Sequence, residues 1–178
     1  MGKITAQMIP EVINNFKVYG NDGDEYLGVT AEVSLAELSN VVSAITGAGL
    51  AGTFDSPVIG HYDSIKQEIP FRIMTSNAVK MMDPMQVLRL NIRGAIQMTD
   101  KGTGVSAFTG LRYVVGGRCI KFAPGKLKAG DVMDCTATIE ATYILVEADG
   151  EKIIELDKVN NIFSVNGKDL LEEVRKYC

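Results

Sequence analysis

The run Gly47-Ala48-Gly49-Leu50-Ala51-Gly52 spells G-x-G-x-x-G, the letter pattern of a turn that cradles phosphates. That chemistry needs a strand before the glycines and a helix opening directly after them, because the helix N-terminal amides hold the pyrophosphate. Here Thr53-Phe54-Asp55-Ser56-Pro57-Val58-Ile59-Gly60 follows, and Pro57 and Gly60 argue against a helix. No βαβ pattern comes after it, so the glycines read as flexible, close-packing backbone in a projecting loop. His61 is the single histidine, and any Ser/His/Asp or Cys/His nucleophilic device would have to use it. It sits between Gly60 and Tyr62 with no activated-serine motif nearby, and reads as a loop residue on the surface.

Other residues with chemical potential are equally uncommitted. Glu140, Glu147, Asp149, Glu151, Glu155 and Asp157 gather near the C-terminal hairpin; paired carboxylates can do acid–base work, but acids on the polar face of a strand more often face water. Arg112, Arg118, Lys121, Lys126 and Lys128 lack the interleaved aromatics of a base-stacking platform. Cys119, Cys135 and Cys178 are odd in number and lack CxxC spacing, which argues against both a disulfide framework and a zinc site. Cys119 and Cys135 read as small apolar strand residues. No catalytic residue, cofactor site or metal site is expected.

The elements that would carry these residues fit one domain, 1–178, with 46% apolar and 22% charged residues. No apolar run approaches the length that crosses a bilayer, and Met1-Gly2-Lys3-Ile4 does not open a signal peptide. Net charge is −4, yet it is unevenly spread: −5 over 1–60, +7 over 61–130 and −6 over 131–178. Such segregation suits contacts between unlike surfaces of identical subunits, or neutralisation within the fold.

Most of the chain reads as strand. Ile13–Tyr19 and Tyr26–Leu35, around Asn21-Asp22-Gly23-Asp24, look like a hairpin. Ile65, Gln67, Ile69, Phe71 and Ile73 alternate with Lys66, Glu68, Pro70 and Arg72, and Pro70 points to an edge or a bulge. Leu88, Leu90, Ile92, Ile96 and Met98 form another one-sided strand. Thr109–Phe122 is a third, kinked at Gly116-Gly117. Met133–Glu147 is the longest, with Thr136, Thr138, Glu140 and Thr142 on one face and Ala137, Ile139, Ala141 and Tyr143 on the other. Asp149-Gly150 favours a tight hairpin. Short helices are expected at Ser76–Met82, capped by Ser76 or Asn77, and at Lys168–Tyr177, with Leu170, Leu171 and Val174 as its apolar stripe. Residues 36–64 and 99–108 are expected to be long loops. Strands following strands define a mainly β fold, an antiparallel sandwich or barrel with helical trim.

The C-terminal third carries a resemblance. Tyr143–Asp157, then Asn160, then Val165-Asn166-Gly167-Lys168-Asp169-Leu170 resembles the end of major tail tube proteins of contractile-tail phages and R-type bacteriocin particles. The Gly47–Gly52 segment is similar to the glycine-rich loop after their second strand, while residues 74–108 match only in pattern. The longer N-terminal segment Met1–Glu11 departs from the family.

The resemblance implies a self-assembling structural subunit, not an enzyme: hexameric rings that stack into the inner tube of a contractile tail. Its implied partners are other copies of the chain and the tail sheath, baseplate, tape measure and tail terminator proteins. The implied location is the virion, assembled in a bacterial cytoplasm. Gly47, Gly49, Leu50, Gly52 and Phe54 are the candidate ring-to-ring contacts; Thr136, Thr138, Glu140 and Thr142 are candidates for a face lining the lumen or meeting solvent. A neutral or acidic lumen would let genomic DNA pass without specific binding, whereas Arg89 and Arg93 clustered around the channel would oppose it. The competing readings are a shed ring of the type VI secretion kind and a small β-rich nucleotide-binding or hydrolytic enzyme.

Overall fold

The computed structural model describes residues 7–21 and 23–178. Long strands dominate. β1 spans Met8–Tyr19, β2 Asn40–Ile45, β3 Phe54–Tyr62, β4 Lys66–Phe71, β5 Leu88–Asp100, β6 Ser106–Ala123, β7 Cys135–Ala148, β8 Glu151–Asp157, β9 Ile162–Val165 and β10 Lys168–Asp169. Two short helices, α1 at Ser76–Lys80 and α2 at Glu172–Tyr177, complete the chain. All strand pairs are antiparallel, in the order β1-β5-β6-β7-β8-β9-β10. The other edge of β7 is shared: β4 takes Cys135–Glu140 and β8 takes Tyr143–Ala148.

The alternating sequences place the core. Ile65, Gln67, Ile69 and Phe71 are all buried, as are Leu88, Leu90 and Ile92 of β5, and Tyr113, Val115 and Cys119 of β6. Cys135, Ala137, Ile139 and Ala141 of β7 face the same interior, and then the phase changes to Ile144. The register slips here, with Gly116 opposite Tyr143 but Gly117 opposite Ala141, so Thr142 is an extra residue that turns the strand over. Gly117 is required at this bend, since a Cβ there would lie 2.0 Å from the Glu140 carbonyl oxygen.

The core is closed by the chain between β1 and β4. Tyr26 N–H donates to the Val18 carbonyl at 2.8 Å, Val29 bridges Phe71, and Thr30 N–H donates to the Pro70 carbonyl at 3.1 Å. This corrects the expected hairpin: Ile13–Tyr19 pairs with β5, and Tyr26–Leu35 forms no strand but straps the β4 edge. The part of that turn at residue 22 lies outside the described residues, as do residues 1–6 of the N-terminal segment.

Other expectations also shift. The stretch 99–108 is no loop; β5 and β6 run through it and turn over residues 101–105. Asp100 Oδ1 caps the turn, accepting from Gly102 and Thr103 N–H at 2.9 and 2.8 Å. Those bonds, Thr103 foremost, hold its carboxyl below the ordinary range. α1 is capped by Thr75, whose hydroxyl accepts the Ala78 N–H, rather than by Ser76 or Asn77. The C-terminal helix begins only at Glu172; Asn166-Gly167 instead turns β9 into β10, and of the expected stripe Leu171 alone is buried. The Asp149-Gly150 turn forms as expected, with φ of 54° and 80°.

Candidate assembly surfaces

The stretch 36–64 holds the main departure from expectation. Its centre is a two-stranded arm, β2 and β3, that forms its own sheet apart from the body. Gly47, Gly49 and Gly52 lie in the tip, all exposed, and Gly49 has φ of 91°. A strand, not a helix, follows the glycines, so the phosphate-cradle geometry does not form. Every residue of β2 is exposed. Leu50, Phe54 and Ile59 are 46%, 53% and 60% exposed, and Val42 and Val58 join them. Short exposed strands leave no one-sided apolar pattern, which is why the sequence reads as loop here.

The root of the arm is fixed to the body. Asp63 N–H donates to the Ser39 carbonyl at 3.0 Å, and Lys158 Nζ donates to the Asp63 carbonyl at 2.6 Å. Tyr62 meets Phe163 edge-on at 5.3 Å. Gly60 (φ 78°) lets the Leu171 side chain pack where a Cβ would stand. His61 is exposed on β3.

Of the carboxylates near the last hairpin, five are engaged in structural bonds and Glu151 is exposed. Glu140 accepts from Ser64 Oγ at 2.7 Å and Ile65 N–H at 3.2 Å. Glu147 pairs with Arg112 at 2.8 Å, Asp149 accepts from Thr109 Oγ1 at 3.1 Å, and Asp157 caps the turn at Val159 and Asn160. Glu155 receives Tyr143 Oη at 3.0 Å and Lys152 Nζ at 2.7 Å. Cys119 and Cys135 are buried free thiols, and Cys178 is exposed. Among the described residues no group of His, Cys, Asp and Glu could hold a metal ion.

Thr136, Thr138, Glu140 and Thr142 do not form one open row. Thr136, Glu140 and Thr142 are half-buried, and Thr138, between Glu68 and Lys121 in register, is only 4% exposed. Thr142 is the bulge residue and its hydroxyl donates to the Gly116 carbonyl at 3.4 Å.

A feature only half legible in the sequence lies on the outward face of β5 and β6. Arg89, Asn91 and Arg93 share that face by their two-residue spacing, and Arg93 stands directly opposite Arg112. Arg93 lies over the Tyr19 ring at 5.3 Å and Arg89 over Tyr143 at 5.0 Å. Arg89, Asn91, Arg93, Arg112 and Tyr19 line a cavity of about 300 Å³ with Asn21 beside them. Spacing alone shows Arg89, Asn91 and Arg93 together; Arg112 joins them only through the register.

A bent antiparallel body, a projecting arm with apolar residues on its surface, and carboxylates occupied in structural bonds define a structural β protein built to meet other surfaces. The chain belongs to the phage tail tube protein FII family, whose model matches residues 10–177. It is a structural subunit of a contractile-tail tube. It is 25% identical over 171 residues to the tail tube protein of Escherichia phage P2, covering 94% of this chain and 96% of that one. A chain in the structure of the anti-feeding prophage baseplate superposes with a TM-score of 0.44 and 9% identity, over 84% of this chain and 97% of that one.

Proposed function

We propose that copies of this chain join side by side into hexameric rings, and that the rings stack into the inner tube of a contractile tail. The observation that carries this reading is the arm Asn40–Tyr62: a two-stranded ribbon is marginal in water, and this one leaves Val42, Phe54 and Ile59 uncovered. Such a ribbon gains its stability from a neighbour. The outer edge of β1 is a second margin, open ahead of the end where Tyr26 N–H bonds the Val18 carbonyl and Tyr19 bridges Glu25, since among the described residues no strand pairs with it. Head-to-tail pairing of unlike margins closes into rings or extends as a filament.

Gly47, Gly49, Leu50, Gly52 and Phe54, at and beside the arm tip, are the ring-to-ring contacts in this reading. Thr136, Thr138, Glu140 and Thr142 belong to the wall that faces the channel or solvent, with Thr138 deepest. The tail sheath, baseplate, tape measure and terminator proteins are its partners, genomic DNA passes through without specific binding, and assembly takes place in the bacterial cytoplasm.

Negative-stain imaging of the purified chain at rising concentration tests this. Long hollow tubes of uniform width are expected. Isolated rings would favour a ring-shedding carrier instead, and protein that stays monomeric at every concentration would refute the proposal.

A further inference from the structure

The arginine pocket calls for an anion. Three guanidiniums share one sheet face, and a like-charge pair placed directly opposite, as Arg93 and Arg112 are, is destabilising in itself. Arg112 is neutralised by Glu147 at 2.8 Å. Among the described residues neither Arg89 nor Arg93 has a carboxylate within ion-pair distance; tyrosine rings hold them in place. Guanidiniums fixed in this way are preorganised for an oxyanion, because little side-chain freedom is lost on binding.

The same chain carries a complementary strip. Glu32, Glu37 and Glu68 are exposed and, among the described residues, have no ion-pair partner. Glu32 and Glu37 flank the stretch strapped to β4 by Gln67, and Glu68 is on β4 itself. The arginine face lies on β5 and β6 and the strip lies on and beside β4, with β7 between them, so they are not neighbours in the sheet of one copy. A head-to-tail contact between copies can bring them together. A DNA phosphate is the other oxyanion of the right chemistry, but three arginines on a conduit wall would hold DNA rather than pass it.

We propose that the Arg89–Arg93–Arg112 pocket takes a carboxylate from the Glu32, Glu37 and Glu68 strip of a second copy, as a lateral contact between subunits. This rests on the self-assembly reading above. The test is the double variant Arg89→Glu, Arg93→Glu, its neutral counterpart Arg89→Gln, Arg93→Gln, and each combined with Glu32→Arg, Glu37→Arg, Glu68→Arg. Circular dichroism confirms the fold, and light scattering and negative stain read assembly. The charge-reversed protein should need a concentration roughly 100-fold or more higher to associate, since like-charge contacts cost several kcal/mol. The acid-strip reversal should restore assembly. If the double reversal disturbs folding, the glutamine pair should still associate more weakly and with a flatter salt dependence.

Variants that assemble like the unaltered chain would overturn the proposal, and so would failure of the acid-strip reversal to rescue. Labelled 20-mer DNA, single- and double-stranded, is the competing probe: binding that disappears with Arg89 and Arg93 would assign the pocket to nucleic acid instead. Unaltered protein that never associates would sink the tube reading itself, whereas association indifferent to these arginines sinks only the pocket assignment.

Discussion

The side-chain oxygen of Gln67 accepts the Ala36 N–H at 3.0 Å, and its amide nitrogen donates to the Ser34 carbonyl at 2.7 Å. A fully buried amide thus does for the strap at 34–36 what another strand would do for the β4 edge. Replacing it orphans a donor and an acceptor at once. Gln67→Leu should lower stability by about 2–3 kcal/mol, measured by urea unfolding. It should also speed amide exchange at Ala36 well before the core opens. An unchanged urea midpoint would count against the amide as the clamp.

Two glycines on one strand should answer alanine in opposite ways. At Gly117 a Cβ would meet the Glu140 carbonyl oxygen at 2.0 Å, so Gly117→Ala must push β6 and β7 apart at the bend. The expected loss is about 3 kcal/mol. At Gly110 nothing among the described residues lies within 4 Å of the added carbon, and φ is ordinary. Gly110→Ala should therefore leave stability unchanged or raise it by about 0.5 kcal/mol. Thermal melts of the two variants side by side decide the point.

The arm should matter to association and hardly at all to folding. Removing residues 47–52, or changing Phe54→Asp, touches only exposed tip and strand. Each variant should melt within about 0.5 kcal/mol of the parent and fail to polymerise when imaged. Normal tubes from the deletion would show that the tip makes no ring-to-ring contact.

Tyr113 carries a buried hydroxyl with no hydrogen-bond partner among the described residues. Burial pushes its pKa up to about 12; the nearby Ala36 N–H, already committed to Gln67, offsets this slightly. Below pH 10.0, its ordinary value, the group is neutral folded or unfolded and contributes no pH dependence. Between 10.0 and about 12 the unfolded chain releases the proton first, so stability falls as pH rises. Tyr113→Phe should raise stability at neutral pH by about 1 kcal/mol and flatten its decline above pH 10. A destabilised Phe variant would mean the hydroxyl is satisfied in solution.

Legibility followed burial. β4 and β5 announce themselves because one face is wet and the other packed: Ile65 to Phe71 and Leu88 to Ile92 alternate without a break. The inner face of β7 reads correctly only as far as Ala141. Beyond it the bulge at Thr142 reverses inside and outside, and no residue type marks such an insertion. The Ile13–Tyr19 segment looks like half of a local hairpin, but β5 offers a far longer partner, and long-range pairing wins. The arm is invisible for the opposite reason: β2 is exposed throughout and β3 packs on the body only near its root, so no period distinguishes the arm from loop. The arginine pocket could be half seen, since the spacing of Arg89 and Arg93 is plain while Arg112 arrives from another strand.

The contact between Gly60 and Leu171 ties the direction of the arm to the segment between β10 and α2. The arm is a lever, and its fulcrum is supplied by a segment more than a hundred positions later in synthesis. A ribosome-bound chain that still lacks Leu171 has the lever without this part of its pivot, so the arm is fully aimed only after that segment is made.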